Sequence, residues 1–468
     1  MSTIPTIPRD RPLPVSFTQE ERLTTGRHVQ FVNNKIAIGL LFDGPLDTAL
    51  LDRALAELTD RHEALRLTFP DEEVLRAALL PRLPALRHVR VDGGDPEQRL
   101  DRALALLAED ACAPFDLAAG PLCRTLLAEV EPDRHVLCVT IDHVVTDAWS
   151  VRLVLEELLL IYRARAAGAT PDLPGLPVQY PDFVAWERAQ LSGAALERQV
   201  GYWRRKLAGI DPIPSSGLTD PAGEPGGAPR LVKLRTLLDR PAVDRLTGLA
   251  ADLGTSLVVL VSAAVKAAMW RRRRATMGDA EAGDVATFGS LANRTRPDTQ
   301  RVVGYLATVA TFRTAFDGTT PFRELAGREA RTLWEAMRHQ RIPHSLIMRE
   351  LRHPQYGARY RDPASLPSYL NFDFDLVEDS SQELPRVPGL DVRPIAIPMP
   401  EVPRGGLRVL GYRRPNGVEL ELRYRSDRYG PAWAAEFLDD IARVLHVAVD
   451  APDVPVGQVF EPAARSAR

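Results

Sequence analysis

Along the first third of the chain, apolar positions switch repeatedly between strand-like runs and a three-to-four-residue period. Residues 35–43 form a short apolar run closed by Gly44-Pro45, which predicts a strand ending in a turn. Leu50, Leu51, Ala54, Leu55 and Leu58 then share one face of an amphipathic helix over 47–58. Residues 86–91 read as a strand, 98–111 as a helix and 123–130 as another strand. The almost continuously apolar, β-branched stretch 135–142 (HVLCVTID) has the composition of a central strand. Val151, Val154, Leu155, Leu158 and Tyr162 follow at helical spacing, so this region reads as strand, sharp loop at 143–150, then helix. Such alternation predicts helices packed on a sheet.

Pro-rich residues 164–181 separate this part from a Trp-bearing helical stretch at 183–207, and 211–229, rich in Pro and Gly, predicts a second loop. The apolar stretch 257–270, interrupted by Ser262 and Lys266, is shorter than the ~20 residues of a bilayer span and reads as a buried core helix. Arg271 to Arg274, followed by Asp279, Glu281 and Asp284, reads as a solvated surface loop. Strands are expected at 285–291, 309–313, 368–374 and 418–424, with a closing helix at 432–449.

Length and charge narrow the picture. A chain of 468 residues suggests two to three domain-sized units. Its net charge of −3 argues against binding to a nucleic-acid backbone. Three cysteines without a C-x-x-C pair offer neither a disulfide framework nor a zinc knuckle, so a reducing compartment is expected. The Pro-rich residues 1–14 lack the apolar core of a secretory signal, and the expected location is cytoplasmic, away from membranes.

There is no G-x-S-x-G, H-E-x-x-H, Walker-type loop or G-x-G-x-x-G after a strand, which removes support from the common serine hydrolases, zinc proteases, P-loop enzymes and nucleotide-linked dehydrogenases. Two H-x-x-x-D spacings remain. His88 and Asp92 lie on a predicted strand, where residues four apart are separated by ~13 Å, so His88 reads as an ordinary strand histidine. His143 and Asp147 instead sit where a buried strand hands over to a helix. Two readings stand there: a structural histidine beside a helix-capping Asp147, or an imidazole kept neutral near a helix N-terminus that accepts a proton or binds an oxyanion.

A series of motifs in order then identifies the chain as similar to a family. Residues 16–23 (SFTQEERL) resemble S-x-x-Q-E-R-L with one extra residue, and 61–69 (RHEALRLTF) resemble R-H-E-x-L-R-T-x-F. Residues 142–150 (DHVVTDAWS) resemble H-H-x-x-x-D-G-W-S. Tyr180, Asp182, Phe183 and Trp186, then Tyr202-Trp203 and Leu207-Ala208-Gly209, resemble Y-x-D-[YF]-x-x-W and Y-W-x-x-x-L-x-G. Residues 293–297 (NRTRP) resemble G-R-x-R-P, Val303-Gly304-Tyr305 resembles I-G-x-F, His339-Gln340 to Pro343 resembles H-Q-x-x-P, and 420–427 resembles L-x-Y-x-x-D. This series, over roughly residues 14 to 460, resembles the condensation domains of nonribosomal peptide synthetases, within the wider class of chloramphenicol-acetyltransferase-like acyltransferases.

The resemblance implies an α/β (α+β) fold of two chloramphenicol-acetyltransferase-like lobes, 1–177 and 178–468, forming a V-shaped pseudodimer of mixed sheets flanked by helices. It implies that His143 and Asp147 are the catalytic-motif residues, Asp147 in a structural role, with Arg294 as its partner and Arg66 as architectural support. Asp142, Trp149, Ser150 and Thr308 are the implied substrate-binding positions. Three departures stand out: Asp142 replaces the first motif histidine, Ala148 replaces the motif glycine, and Thr308 replaces an Asn whose amide can line the donor channel. The implied activity is that of a free-standing condensation enzyme, transferring an acyl or aminoacyl group from a carrier-protein thioester to an amine or hydroxyl acceptor, which is a small molecule or carrier-bound. The competing readings are a CoA-dependent O-acyltransferase and a catalytically silent recruitment module. No metal or intrinsic cofactor is expected, because the thioester is already activated; its phosphopantetheine arm arrives on a partner acting in trans, or as CoA.

Overall fold

A computed structural model describes residues 3–26, 34–70, 75–210, 215–218, 220, 230–278, 282–351, 369–374, 384–400 and 406–461. The chain begins with β1 (Leu13–Pro14), α1 (Phe17–Gly26), β2 (Lys35–Asp43), α2 (Thr48–Arg61), β3 (Leu67–Thr68), β4 (Arg76–Leu79), β5 (Arg87–Arg90) and α3 (Pro96–Cys112). Next come β6 (Cys123–Glu131), β7 (Arg134–Asp142), α4 (Ala148–Ala166), α5 (Tyr180–Gln190), α6 (Gly193–Lys206), β8 (Leu231–Asp239), α7 (Arg240–Asp252) and α8 (Leu257–Arg273). It ends with β9 (Asp284–Leu291), β10 (Thr308–Ala315), α9 (Phe322–Arg338), α10 (His344–Glu350), β11 (Leu370–Phe374), β12 (Asp391–Ile395), β13 (Leu407–Arg414), β14 (Gly417–Arg425) and α11 (Pro431–Asp450).

Two compact units form. One comprises Met1–Leu196, Ala292–Ala307 and Val377–Glu401; the other Glu197–Leu291, Thr308–Leu376 and Val402–Arg468. These bounds differ from the 1–177 and 178–468 division read from the sequence, for reasons visible in the contacts. Asp182 on α5 accepts from Arg9 and from the Ile7 N–H. Strand β12 pairs with β2 from Asp43 to Gly39. Residues 306 and 307 donate to Asp147.

In the first unit the five-stranded sheet has the order β12-β2-β7-β6-β5. Strand β7 lies between antiparallel neighbours β2 and β6, and residues 135–142 are all buried, which accounts for their unbroken apolar run. Successive side chains of these strands take opposite faces. Phe42, Leu127, Leu137 and Val139 pack with Leu51, Leu55 and Leu58 of α2 and Val154 and Leu158 of α4. Leu41, Ala128, Val136 and Cys138 pack on Ala103, Leu107 and Ala111 of α3. The helices start where an aspartate caps them: Asp47 accepts from the Leu50 N–H and Asp95 from the Gln98 N–H.

In the second unit the six-stranded sheet has the order β10-β9-β11-β13-β14-β8. Helix α8 is its buried core helix, with contacts to α7, α9 and α11. Lys266, the charge that interrupts the apolar run, is buried and bonded to Glu329 Oε2 at 2.6 Å, Thr314 Oγ1 at 3.0 Å and Phe312 O at 2.9 Å. The arginine run that reads as a surface loop is a correction. Arg271, Arg272 and Arg273 form the last turn of α8, and Arg271 and Arg272 both pair with Asp440 of α11. Cations suit a helix C-terminus, and a buried carboxylate partner gives them a reason to face the protein. Most of 211–229, residues 279–281 and Ser368 lie outside the described residues. Among the described residues no single helix is long and apolar enough to cross a membrane.

Candidate active site

The site is built at the end of β7. Asp142 closes the strand, facing Lys35 of β2 and donating its N–H to Leu122 O at 2.9 Å. Its Oδ1 then accepts the Val144 N–H at 2.9 Å, folding His143–Val145 into one 3-10 turn. That turn is pinned from outside: Gln19 Nε2 donates to Val144 O at 2.9 Å. Gln19 is itself held in a reciprocal cap with Ser16, each N–H donating to the other's side-chain oxygen at 3.0 Å.

His143 is half-buried, its ring 4.6 Å from that of Tyr305 and tilted 54° to it. Its Nδ1 is buried and has no hydrogen-bond partner among the described residues. Tyr180 Oη bridges Tyr305 O at 3.0 Å and Ser16 Oγ at 3.2 Å, so the backbone that carries the Tyr305 ring is anchored to the helix start that pins the turn. A glycine is required at 304, because a Cβ there would lie 2.1 Å from the Tyr180 ring.

Asp142 does not meet His143 through a hydrogen bond to Nδ1. Its Oδ1 is used on the turn, and its Oδ2 stands 3.7 Å from Arg22 Nη2. Burial pushes the Asp142 carboxyl above its usual range, with Arg22 and the Val144 N–H acting against it. Asp142, read from the sequence as substrate-binding, is placed here as the cap of the turn.

Asp147 caps α4 and holds a remote segment at the same time. Oδ1 accepts from the Ser150 N–H at 2.9 Å, Ser150 Oγ at 2.8 Å and Arg294 Nη2 at 3.0 Å. Oδ2 accepts from Arg294 Nη1 at 2.9 Å, the Leu306 N–H at 3.0 Å and the Ala307 N–H at 2.9 Å. Burial alone would raise this carboxyl; the Arg294 charge and the bonds from Arg294 and Ser150 outweigh it and hold the group below the usual carboxylate range. With both oxygens saturated, Asp147 holds the segment carrying Tyr305. Ser150, also read as substrate-binding, is fully buried and spent on Asp147, Arg294 and Gly304, whose N–H donates to its Oγ at 3.0 Å.

Trp149 is half-buried, donates from Nε1 to Gln300 O at 2.9 Å and takes the Arg294 guanidinium over its ring at 5.6 Å. Asn293 opens the segment with φ 54°, a left-handed conformation that asparagine tolerates better than most residues, so the change from the family's Gly at this position keeps the turn. Arg66 donates to Thr59 O at 3.1 Å and Leu80 O at 2.7 Å, tying the end of α2 to the residue after β4. Thr308, in the other unit, opens β10 opposite Leu291; it is buried, and its Oγ1 has no partner among the described residues. Sequence reading misses Gln19, Arg22 and Tyr305 as parts of the site. The S-x-x-Q spacing could have flagged Gln19 as a cap, whereas Tyr305, 162 positions from His143, carries no spacing signal.

The model of the condensation-domain family matches residues 13–467. The chain is 31% identical to phosphinothricin tripeptide synthetase PhsB of Streptomyces viridochromogenes over 99% of its own length and 39% of that protein. It is 28% identical to chondramide synthase cmdD of Chondromyces crocatus over 89% of its length and 10% of that protein. The chain thus spans well under half the length of these curated relatives. Its fold is that of the X-domain from teicoplanin biosynthesis, with a TM-score of 0.77, 24% identity and coverage of 98% of this chain and 100% of that one. Together with the His143 turn and the Asp147–Arg294 pair, these matches place the chain in the condensation-domain family, whose members are acyltransferases that form amide bonds in nonribosomal peptide synthesis.

Proposed function

We propose that this chain transfers an acyl or aminoacyl group from a carrier-protein phosphopantetheine thioester to an amine. The observation that carries the reading is the His143 imidazole: half-buried, packed against Tyr305 and carried on a turn that Asp142 caps and Gln19 pins, with an unspent buried nitrogen. The amine attacks the thioester carbonyl, the acyl–sulfur bond breaks as the acyl–nitrogen bond forms, and one proton passes from the amine to the departing thiol. His143 holds that proton or positions the amine; proximity supplies the rest of the acceleration. Asp147 and Arg294 act indirectly by holding Tyr305 against the ring. The replacement of the first motif histidine by Asp142 favours one competing reading, a condensation-like module that docks partners without transferring acyl groups.

The test offers acyl-carrier protein and acyl-CoA separately, each with amine and alcohol acceptors, and follows donor consumption by intact-protein mass spectrometry. Amide formation from the carrier thioester, reduced at least about a hundredfold by His143→Ala in a folded protein, is the expected result. Equal turnover by wild type and His143→Ala overturns the role of His143. Consumption of acyl-CoA alone reassigns the donor, and no consumption of either donor supports the docking module.

A further inference from the structure

Strand β7 carries the candidate active histidine just past its last residue, and a second histidine, His135, near its first. Eight residues of extended chain separate the two, roughly 26 Å, so His135 belongs to different surroundings. Glu129 of β6 faces His135 directly across the ladder, and Arg90 of β5 faces Glu129. His88 precedes Arg90 by two residues, which returns it to the same face. Nitrogen or oxygen ligand atoms of His88, Glu129 and His135 all lie within 4.8 Å of one another, and His88 Nε2 is 3.5 Å from Glu129 Oε2.

The three differ in freedom, and that suits a ligand set. His135 is 3% exposed, and its Nδ1 is buried with no hydrogen-bond partner among the described residues. The Glu129 and His88 side chains, 20% and 39% exposed, can rotate toward it. The nearest competing groups are weakly engaged or turned elsewhere: Arg90 Nε is 3.9 Å from Glu129 Oε1 and closer, at 3.2 Å, to Asp92. Asp133 adds a further negative charge near His135.

We propose that His88, Glu129 and His135 bind a divalent transition-metal ion of the zinc class, with water in the remaining coordination positions. Two imidazoles and one carboxylate select zinc, cobalt or nickel over magnesium or calcium. Bond lengths of about 2.0–2.2 Å require the ligand atoms to draw together, for which the partly exposed His88 and Glu129 side chains have room. The ion pins the short edge strand β5 to β6 and β7. It takes no part in acyl transfer, which lies at the other end of β7.

The test uses tag-free chain stripped with a chelator, then zinc, cobalt(II) or magnesium alone. Zinc is expected to bind one per chain and raise the melting midpoint by about 2–5 °C at saturation, cobalt(II) to give a visible absorption band, and magnesium to do neither. His88→Ala and Glu129→Gln should each weaken zinc binding at least about tenfold, while His446→Ala, an exposed histidine on α11, leaves it unchanged. Loss of binding in one ligand variant that stays folded by circular dichroism suffices. Absence of zinc binding by wild type, an equal response to magnesium, or wild-type affinity in both ligand variants overturns the site.

Discussion

Among the described residues each unit contains a deeply buried pair of a carboxylate with an arginine or lysine, Asp147–Arg294 in the first and Lys266–Glu329 in the second, with no side chain of the four more than 1% exposed. Their surroundings differ. Lys266 and Glu329 join α8, α9 and β10, elements already packed together through Ala263, Val265, Leu325 and their apolar neighbours. Asp147 and Arg294 join a helix start to 292–307, a segment whose one regular feature is the single turn Pro297–Thr299. There the carboxylate stands in for secondary structure by taking the N–H groups of Leu306 and Ala307, which have no ladder of their own at that point. One pair neutralises a polar side chain inside a finished core; the other creates the order of a loop. A planar guanidinium that grips both carboxylate oxygens suits the second task, and a lysine suits the first.

The largest effect that would break this contrast comes from Arg294→Ala. It leaves the Asp147 charge buried and unpaired, so urea denaturation at pH 7 should show a loss of about 3–5 kcal/mol. Transfer activity measured below the melting transition should fall as well, because Tyr305 is released from His143. Next are the paired apolar replacements. Lys266→Met with Glu329→Leu, which takes an acceptor from the buried Ser262 and Thr314 hydroxyls, should lose about 1–3 kcal/mol but keep its activity, because the packed helices and strand around the pair do not depend on it for their order. Asp147→Leu with Arg294→Met should not be tolerated in that way: two backbone N–H groups lose their acceptor, at about 1–3 kcal/mol each, and activity goes with them. Equal behaviour of the two double variants would erase the distinction.

The smallest effect is in the acid limb of stability. Glu157 accepts from Arg61 at 2.7 Å and lies 2.8 Å from His62 Nε2. Burial would raise its carboxyl, but the bonds and charges of His62 and Arg61 prevail and lower it to about 2. A depressed carboxyl contributes stability that is present above its unfolded value, about 4.3, and lost as pH falls toward the folded one. Asp147 is also held below the usual carboxylate range, so its contribution has the same sign and is lost on acidification. Acid titration of unfolding should therefore show a loss between about pH 4.3 and 2 that is partly removed in Glu157→Gln, with little change in activity at neutral pH.

Much of the first unit is legible in the sequence because its signals are local. The run 135–142, the helical spacing after Val151 and the capping position of Asp147 are all properties of neighbouring residues, and the elements lie at Arg134–Asp142 and Ala148–Ala166. Ordered motifs identify His143, Asp147 and Arg294. What stays hidden is long-range. Tyr305 reaches His143 through a segment held by backbone bonds, and β12 joins β2 from more than 340 positions away. Strand β8, whose leading residues are half-exposed and carry Lys233 and Arg235, and the strongly amphipathic α9 escape the sequence reading altogether. The arginines at 271–273 mislead because charge alone does not reveal that Asp440 waits in α11. His88 reads as ordinary because of its distance from Asp92, although its relevant neighbours are across the sheet rather than along the strand.

The placement of β12 bears on how the chain is made. Its five residues, 391–395, form the outer strand beside β2, yet they leave the ribosome after more than four fifths of these 468 residues. Until then the row of β2 backbone groups from Gly39 to Asp43 that β12 later covers has no permanent partner, and such an edge invites pairing with other chains. A nascent chain stalled before residue 391, or a fragment ending after α5, therefore presents an open adhesive border. In this chain the edge of β2 is thus covered only by a strand made late, Asp391–Ile395, whose own Asp391, Arg393 and Pro394 make it a poorer template for further pairing.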